Sequence, residues 1–401
     1  MSEQQTFEFN ERPTIKGFPE LRWTGKRPYR STQYFPAQLR ERYGEEQNGW
    51  INKIFWGDNL QVMSHLLKEF RGKVDLIYID PPFDSKADYK KRISLRGQTV
   101  ENDSSSFEEK QYGDIWTNDE YLQFMFERLV LCRELLSDKG SIYLHCDWHK
   151  SHHLRMLMDE IFGIDKFVNE IIWWYKRWSG VSRSYQRMHD TILFYSKEKD
   201  YIFNVQYQPY SQPSAIENTV RGMVDGKLVR LKDENGDYIE RDGKNKGVPF
   251  HDVFDIQHIQ PTANERIGYP TQKPEALIDR IIKASTNPDD LVFDCFMGSG
   301  TTQAVAMKLG RRFIGADINL GAIQTTTKRL ISLSAELDPV KEKQSKLANV
   351  ADNPNEKGLY FSENKTDSHY ASLVAEERSQ YLSENPNSAS VATSGGGGRC
   401  I

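Results

Sequence analysis

LVFDCFMGSGTT, residues 291–302, is the stretch that decides the fold of this chain. An apolar, strand-like run leads into an acid and a glycine-rich turn, and residues 303–309 then have the composition of a helix. A strand, a glycine turn and a helix in this order form the first half of a Rossmann-like unit, whose glycines let the backbone approach a ligand closely. The amides at the start of such a helix favour a carboxylate or a phosphate.

A second strand-like run, Arg312–Asp317, follows, and its terminal acid lies about 20 residues beyond the turn, where such folds bind ribose hydroxyls. A nicotinamide-dependent oxidoreductase is one interpretation of this pattern. Its G-x-G-x-x-G fingerprint, however, requires glycine at position 303, which is Gln303. The pattern therefore predicts a nucleotide-like cofactor and keeps the oxidoreductase as a distant alternative.

VDLIYIDPPF, residues 74–83, is the second informative stretch. Its first six residues predict a buried strand, and the two prolines end that strand abruptly. The strand thereby delivers a carboxylate, two rigid carbonyls and an aromatic ring to the edge of a sheet. Such oxygens can accept hydrogen bonds from an exocyclic amine while the ring stacks on the heterocycle. The plainer alternative is a strand followed by a proline turn.

Together the two stretches resemble the DNA amino-methyltransferases, which modify adenine N6 or cytosine N4 with S-adenosylmethionine. DPPF fits the family's [DNS]-P-P-[YFW] catalytic motif, and residues 294–300 look like its D-P-F-x-G-x-G cofactor motif, with Cys295 at the usual proline. Because DPPF comes first, the order resembles the permuted β class, which includes the modification subunits of type III restriction systems. The resemblance implies an α/β, Rossmann-like fold: a mostly parallel sheet flanked by helices, with circularly permuted motifs.

The resemblance also implies roles for the matching residues. The catalytic residues would be Asp80, Pro81, Pro82 and Phe83. S-adenosylmethionine would be bound by Asp58, Lys273, Asp294, Phe296, Gly298, Gly300, Thr301 and Asp317. Lys273 belongs to a T-x-K-P motif and would pair with the methionine carboxylate of the cofactor. The alternative for that motif is a proline-started helix with a solvated lysine.

DPPF resembles the adenine enzymes more than the cytosine enzymes, in which S-P-P-Y is commoner. The expected function is therefore site-specific methylation of adenine N6 in duplex DNA, by base flipping and direct in-line transfer. Cytosine N4 methylation remains open, as does a non-catalytic DNA-binding subunit that retains the fold. Related D/N-P-P-Y enzymes also act on RNA or on protein glutamine, so those substrates are further alternatives.

Residues 173–187 predict a DNA contact. They hold five aromatic residues, no acid, and four basic residues: Lys176, Arg177, Arg183 and Arg187. Cations suit phosphate oxygens, and aromatic rings suit the faces of unstacked bases. A core strand followed by a solvated basic loop is the alternative. The net charge of −4 does not exclude DNA, because local distribution matters more than the total.

Composition favours an intracellular enzyme. The chain has 401 residues, of which 38% are hydrophobic and 27% charged, enough for one large α/β domain with an insertion. The polar N-terminus does not resemble a signal peptide, and no apolar run is long enough to span a bilayer. We therefore expect no membrane association and a cytoplasmic, prokaryotic location, nucleoid-associated when bound to DNA. The absence of Pro-Cys disfavours carbon-5 cytosine chemistry.

A metal site is not expected. Four scattered cysteines form neither a disulfide framework nor a C-x-x-C motif. Cys146, Asp147, His149, His152 and His153 lie close together in sequence, but zinc sites need a second ligand pair at a distance, and none stands out.

The predicted organisation has five parts. They are an irregular basic N-terminal arm (1–50), a catalytic half (51–197), a target-recognition insertion (198–262), an S-adenosylmethionine-binding half (263–335) and a polar, partly disordered tail (336–401). Thr117–Glu120 predicts a capping box that opens a helix reaching Leu136, and the next strand is expected at 141–147. No nuclease or Walker motif is evident, so DNA cleavage would need a partner endonuclease subunit. The resemblance also makes a homodimer possible.

Overall fold

The computed structural model describes residues 5–10, 20–82, 92–95, 98–101, 118–177, 183–208, 220–224, 226–238 and 248–337. Within these ranges the helices are α1 Asn59–Phe70, α2 Asn118–Leu135, α3 Ser151–Phe162, α4 Glu275–Ser285, α5 Thr301–Lys308 and α6 Leu320–Glu336. The strands are β1 Thr6–Glu8, β2 Ser31–Gln33, β3 Lys53–Trp56, β4 Val74–Ile79, β5 Arg92–Leu95, β6 Gln98–Glu101, β7 Leu136–Cys146, β8 Phe167–Trp174, β9 His189–Ser196, β10 Tyr207–Gln208, β11 Arg221–Val224, β12 Lys227–Arg230, β13 Val248–Pro249, β14 Val253–Asp255, β15 Leu291–Asp294 and β16 Arg312–Asp317.

An eight-stranded sheet in the order β14-β8-β9-β7-β4-β15-β16-β3 forms the centre of the fold. All neighbouring pairs in it are parallel except the two that involve β9. The predicted α/β class with a mostly parallel sheet is therefore confirmed. Because β4, β15 and β16 are parallel neighbours, their carboxyl ends meet at one edge of the sheet.

The two faces of this sheet are covered by different helices. Alternate residues of each strand point to opposite faces, so Ile77 and Ile79 pack with α1, α2 and α3, whereas Leu76 and Tyr78 pack with α4, α5 and α6. Burial of both faces explains why β4 is a nearly continuous apolar run.

The predicted strands at 74–79 and 312–317 are confirmed, but the boundary between α2 and β7 was predicted wrongly. The helix ends at Leu135, and Leu136 already pairs with Val74 of β4. A Cβ at Gly140 would lie 2.8 Å from the Val74 carbonyl oxygen, so the glycine allows β7 to approach β4 before Ser141. The predicted cap residue Thr117 lies outside the described residues.

The N-terminal residues pack on the helical layer. β1 and β2 form an antiparallel pair, and Phe9 is buried against the α1–α3 side of the core. Lys26 forms an ion pair with Glu160 of α3 at 2.8 Å, and Thr32 hydrogen bonds to Ser64 of α1 at 2.7 Å. These contacts attach the described N-terminal residues to the core.

Part of the region predicted as an insertion returns to the sheet. β10 pairs with β13, and β11 pairs with β12 in a separate hairpin. β14, in contrast, adds to the edge of the central sheet beside β8. The partition of the chain into five parts stays a prediction. Over the described ranges, each helix is too short or too polar to cross a bilayer.

Replacing Gly300 by alanine is expected to destabilise the protein more than replacing Gly310. Both glycines have φ +70°, but a Cβ at Gly300 would lie 2.4 Å from Thr326 Cγ2, whereas no described atom lies within 4 Å of a Cβ at Gly310. Each alanine should lower the free energy of unfolding by about 1–2 kcal/mol, because it must adopt a left-handed conformation. Gly300→Ala should lower it by about 1–3 kcal/mol more, because its Cβ overpacks against Thr326. Urea unfolding measures both, and equal losses would contradict the close contact.

Candidate active site

Three acids lie at adjacent strand ends. Asp80 directly follows β4, Asp294 is the last residue of β15, and Asp317 is the last residue of β16. Val292 and Phe293 are paired with Leu76 and Ile77, so the DPPF segment and the glycine turn emerge side by side. The structure thus brings together two motifs that are remote in sequence.

The glycine turn is held between two of these acids. The buried Asp294 accepts hydrogen bonds from the Phe296 amide at 2.9 Å and the Thr302 hydroxyl at 2.7 Å. Asp317 accepts one from the Gly298 amide at 2.8 Å. These bonds fix the path of the turn into α5, which begins at Thr301.

These acids are buried or half-buried and lie close to one another, so each is surrounded by few solvent molecules and by other negative charges. Burial raises the pKa of Asp294 to about 7, and the negative charges of Asp80 and Asp317 act in the same direction. Burial also raises the pKa of Asp317 above its ordinary value. A ligand that carries positive charge would relieve this repulsion, which suits a sulfonium group.

Lys273 contacts Asp80. Its ammonium group forms an ion pair with Asp80 Oδ2, and its carbonyl accepts a hydrogen bond from the Thr301 hydroxyl at 3.3 Å. Asp80 Oδ1 is buried and has no hydrogen-bond partner among the described residues. Lys273 therefore joins the DPPF segment to the start of α5. Its expected contact with a cofactor carboxylate stays a prediction.

Asp58 caps α1 at the neighbouring edge of the sheet. It accepts a hydrogen bond from the Leu60 amide at 2.9 Å and lies 3.0 Å from a nitrogen of the buried Arg128. Arg128 also lies over the ring of Phe124, whose centroid is 6.2 Å from that of Phe296. Arg128 was missed in the sequence, although an arginine among the apolar positions of a predicted helix was a usable signal.

His145 was also missed as a site residue. It is fully buried on β7, with Nδ1 2.9 Å from the Tyr78 hydroxyl and Nε2 3.2 Å from Asp190 Oδ2. Its Nδ1 lies 3.9 Å from Asp80 Oδ1. The available signal was a histidine within the otherwise apolar strand-like run at 142–146.

The predicted DNA-contact residues lie on the surface near β8 and β9. Lys176, Arg177, Arg183 and Arg187 are all exposed. The Arg187 guanidinium stacks on Trp148 at 3.7 Å from the ring centroid, and Trp148 is itself exposed. Trp173, in contrast, is fully buried and belongs to the core.

The remaining predicted residues have mixed outcomes. Pro81 is buried and Pro82 half-buried beside Asp80, but Phe83 lies outside the described residues. No cluster of three or more metal-ligating side chains occurs among the residues that are described. Cys146 is buried in the core, and His149 instead lies 2.5 Å from Asp147. That the protein uses no metal stays a prediction.

The chain matches known proteins over most of its length. The family model N6_N4_Mtase, described as DNA methylase, matches residues 74–328. Type II methyltransferase M.EcaI of Enterobacter cloacae is 30% identical, covering 69% of this chain and 69% of that protein. DNA adenine methyltransferase YhdJ of Escherichia coli K12 is 29% identical, covering 76% and 91%. The Mod subunit of the type III restriction-modification enzyme StyLTI of Salmonella typhimurium is 28% identical, covering 64% and 50%.

Asp294→Asn is expected to flatten the dependence of stability on pH. Because the folded-state pKa of about 7 exceeds the ordinary value of 3.8, the native state binds a proton more tightly than the unfolded chain. The contribution of Asp294 to the free energy of unfolding should thus be greatest below about pH 4 and fall towards pH 7, by up to about 1.4 kcal/mol per pH unit.

Asparagine has no such titration, yet it can accept from the Phe296 amide and donate to the Thr302 oxygen. Urea unfolding of wild type and variant between about pH 4 and 7 measures the difference. Parallel profiles for the two proteins would show that Asp294 is ionised throughout this range.

Proposed function

Since the chain belongs to the N6/N4 family of DNA methylases, we propose that it transfers a methyl group from S-adenosylmethionine to adenine N6 at a specific site in duplex DNA. The observation that carries this proposal is the position of Asp80 beside the glycine turn, with a buried Oδ1 that has no hydrogen-bond partner within the described ranges. An amine held there would lie next to a donor bound at residues 294–300.

The chain's own residues orient the amine. Asp80 and the Pro81 carbonyl accept its hydrogen bonds, which turns the nitrogen lone pair towards the donor, and Phe83 stacks on the base. S-adenosylmethionine supplies a methyl group activated by the positive charge on sulfur. Because an aromatic amine is not deprotonated beforehand at neutral pH, the proton leaves after transfer. The rate enhancement comes mainly from proximity and electrostatic placement.

The residues at the strand ends fit the donor. Asp294 and Asp317 hold the glycine turn in shape, and their carboxyl groups would lie near the sulfonium of a bound donor. The amides at the start of α5 and Lys273 provide donors for the methionine carboxylate. Asp58 and Phe296 are proposed to contact the adenine of the donor.

Adenine is the proposed target base. DPPF resembles the adenine enzymes, and the Escherichia coli relative is named a DNA adenine methyltransferase. Cytosine N4 is the second candidate, because the family includes both chemistries. A non-catalytic DNA-binding subunit is less consistent with an intact Asp80 and an intact glycine turn.

The DNA is proposed to lie across the basic surface of Lys176, Arg177, Arg183 and Arg187, with the target base flipped into the site. One relative is a Mod subunit of a restriction-modification enzyme, which supports association with an endonuclease subunit. A homodimer is also proposed. The proposed location of the enzyme is the prokaryotic cytoplasm, where its DNA substrate lies.

Asp80→Ala is expected to lower methylation of duplex DNA by at least about 100-fold while S-adenosylmethionine still binds. Mass spectrometry of nucleosides from treated DNA measures the product and separates N6-methyladenine from N4-methylcytosine. Isothermal titration measures cofactor binding, and Asp80→Asn is the matched variant that keeps the size of the side chain. Normal methylation by Asp80→Ala would exclude the assigned role, and N4-methylcytosine from wild type would reassign the base.

Arg187→Ala is expected to weaken binding to a random-sequence duplex and to reduce the salt slope of binding by about 1, because one phosphate contact is lost. The matched control is Lys199→Ala, which removes an exposed lysine 3.9 Å from Asp165. Fluorescence anisotropy at several salt concentrations measures both slopes. An unchanged slope for Arg187→Ala would place the duplex on another surface.

A further inference from the structure

A histidine and an aspartate form a buried pair directly behind Asp80. His145 Nε2 lies 3.2 Å from Asp190 Oδ2, and the Tyr175 hydroxyl donates to the other oxygen of Asp190 at 3.1 Å. The ring of Trp173 lies edge-on to His145, with 5.5 Å between the centroids. A fully buried histidine therefore has a fixed orientation.

The orientation decides which nitrogen faces the active site. Because Asp190 accepts from Nε2–H, the neutral imidazole carries its lone pair on Nδ1. That nitrogen lies 2.9 Å from the Tyr78 hydroxyl and 3.9 Å from Asp80 Oδ1, the oxygen with no hydrogen-bond partner in the described part of the chain. Once Asp80 carries a proton, an approach of about 1 Å would allow it to donate to Nδ1, provided that the Tyr78 hydroxyl turns away from that nitrogen.

Asp190 is an anion, and the two tyrosines near the pair are neutral. Burial alone would raise the pKa of Asp190. The hydrogen bond and charge of His145, together with the charge of Lys273, outweigh burial and lower this pKa, so Asp190 is an anion. Burial raises the pKa of Tyr78 and of Tyr175, so both remain neutral hydroxyls. The described titratable groups near His145 and its partners include Tyr78, Asp80, Asp190, Tyr175, His258, Lys273 and Asp294.

We propose that His145, held by Asp190, is a positioning residue for Asp80 and receives the proton that the target amine releases after methylation. The inference rests on the proposed function and extends it beyond the DPPF motif. It gives a role to a buried pair that lies outside the DPPF motif and the glycine turn.

The amine lone pair forms the new nitrogen–carbon bond while the methyl–sulfur bond breaks and leaves its electrons on sulfur. The methylated amine is then a cation, and one of its protons passes to the Asp80 carboxylate. That proton moves on to His145 Nδ1, which restores the Asp80 anion and leaves an imidazolium beside the Asp190 anion. Solvent takes the proton when product leaves.

The test is a single-turnover measurement of methyl transfer against pH for His145→Gln and Asp190→Asn. His145→Gln should slow transfer by about 100-fold and remove one ionisation from the rate–pH profile. Asp190→Asn should slow transfer by about tenfold and move that ionisation to lower pH, because the imidazolium loses its counter-charge. The affinities for S-adenosylmethionine and DNA should change by less than about twofold.

His152→Gln, on the exposed side of α3, is the matched control and should keep the wild-type rate and profile. A uniform loss of rate with an unchanged profile would overturn the proposal, since packing alone would do that. If His145→Gln fails to fold, the profile of Asp190→Asn decides, and an unmoved ionisation there also overturns it. Failure of wild type to methylate DNA would instead reject the proposed function, so the two failures are distinct.

Discussion

The parallel pairing of β4 with β15 is the contact on which the rest of the structure depends. The two strands are separated by more than 200 residues, yet their ladder places Asp80 beside Asp294. Asp75 secures the register at the opposite end of the strands, because its carboxylate accepts the Leu291 amide at 2.9 Å and the Ser137 hydroxyl at 3.1 Å. A slip of one residue would turn the side chains of β4 to the other face and move Asp80 away from Lys273.

The site concentrates negative charge where an apolar core would be more stable. Asp80, Asp190, Asp294 and Asp317 lie around the strand ends, and burial raises the pKa of the last two. Lys273 offsets part of this repulsion, since it pairs with Asp80 and helps to lower the pKa of Asp190. Local conflicts of this kind are expected at functional sites, where chemistry is selected over stability.

Two groups of residues lie around Asp80. The front layer is the proline-bounded backbone that presents the carboxylate. The rear layer is the buried pair of His145 and Asp190. The rear layer is assembled from β7 and β9, which are antiparallel to each other, whereas the front layer comes from the parallel part of the sheet. The antiparallel strand β9 is thus what brings Asp190 close to the site.

The sequence by itself determined the elements whose signal is local. The glycine turn, the prolines after β4 and the apolar runs predicted the strands, the α/β class and the family, because each depends on neighbouring residues and their backbone preferences. It also predicted eight cofactor residues, of which Gly298 and Gly300 have the positive φ values that glycine permits.

Only the tertiary structure decided which distant residues meet. The pairing of Lys273 with Asp80, the burial of Arg128 beside Asp58 and the approach of His145 to Asp80 all join separate strands or helices. The start of β7 at Leu136 had the same origin, since it depends on contact with Val74 rather than on the helix signal. Hydrophobic periodicity carries no information on such contacts, because they are set by strand order and by the packing of helices across the sheet.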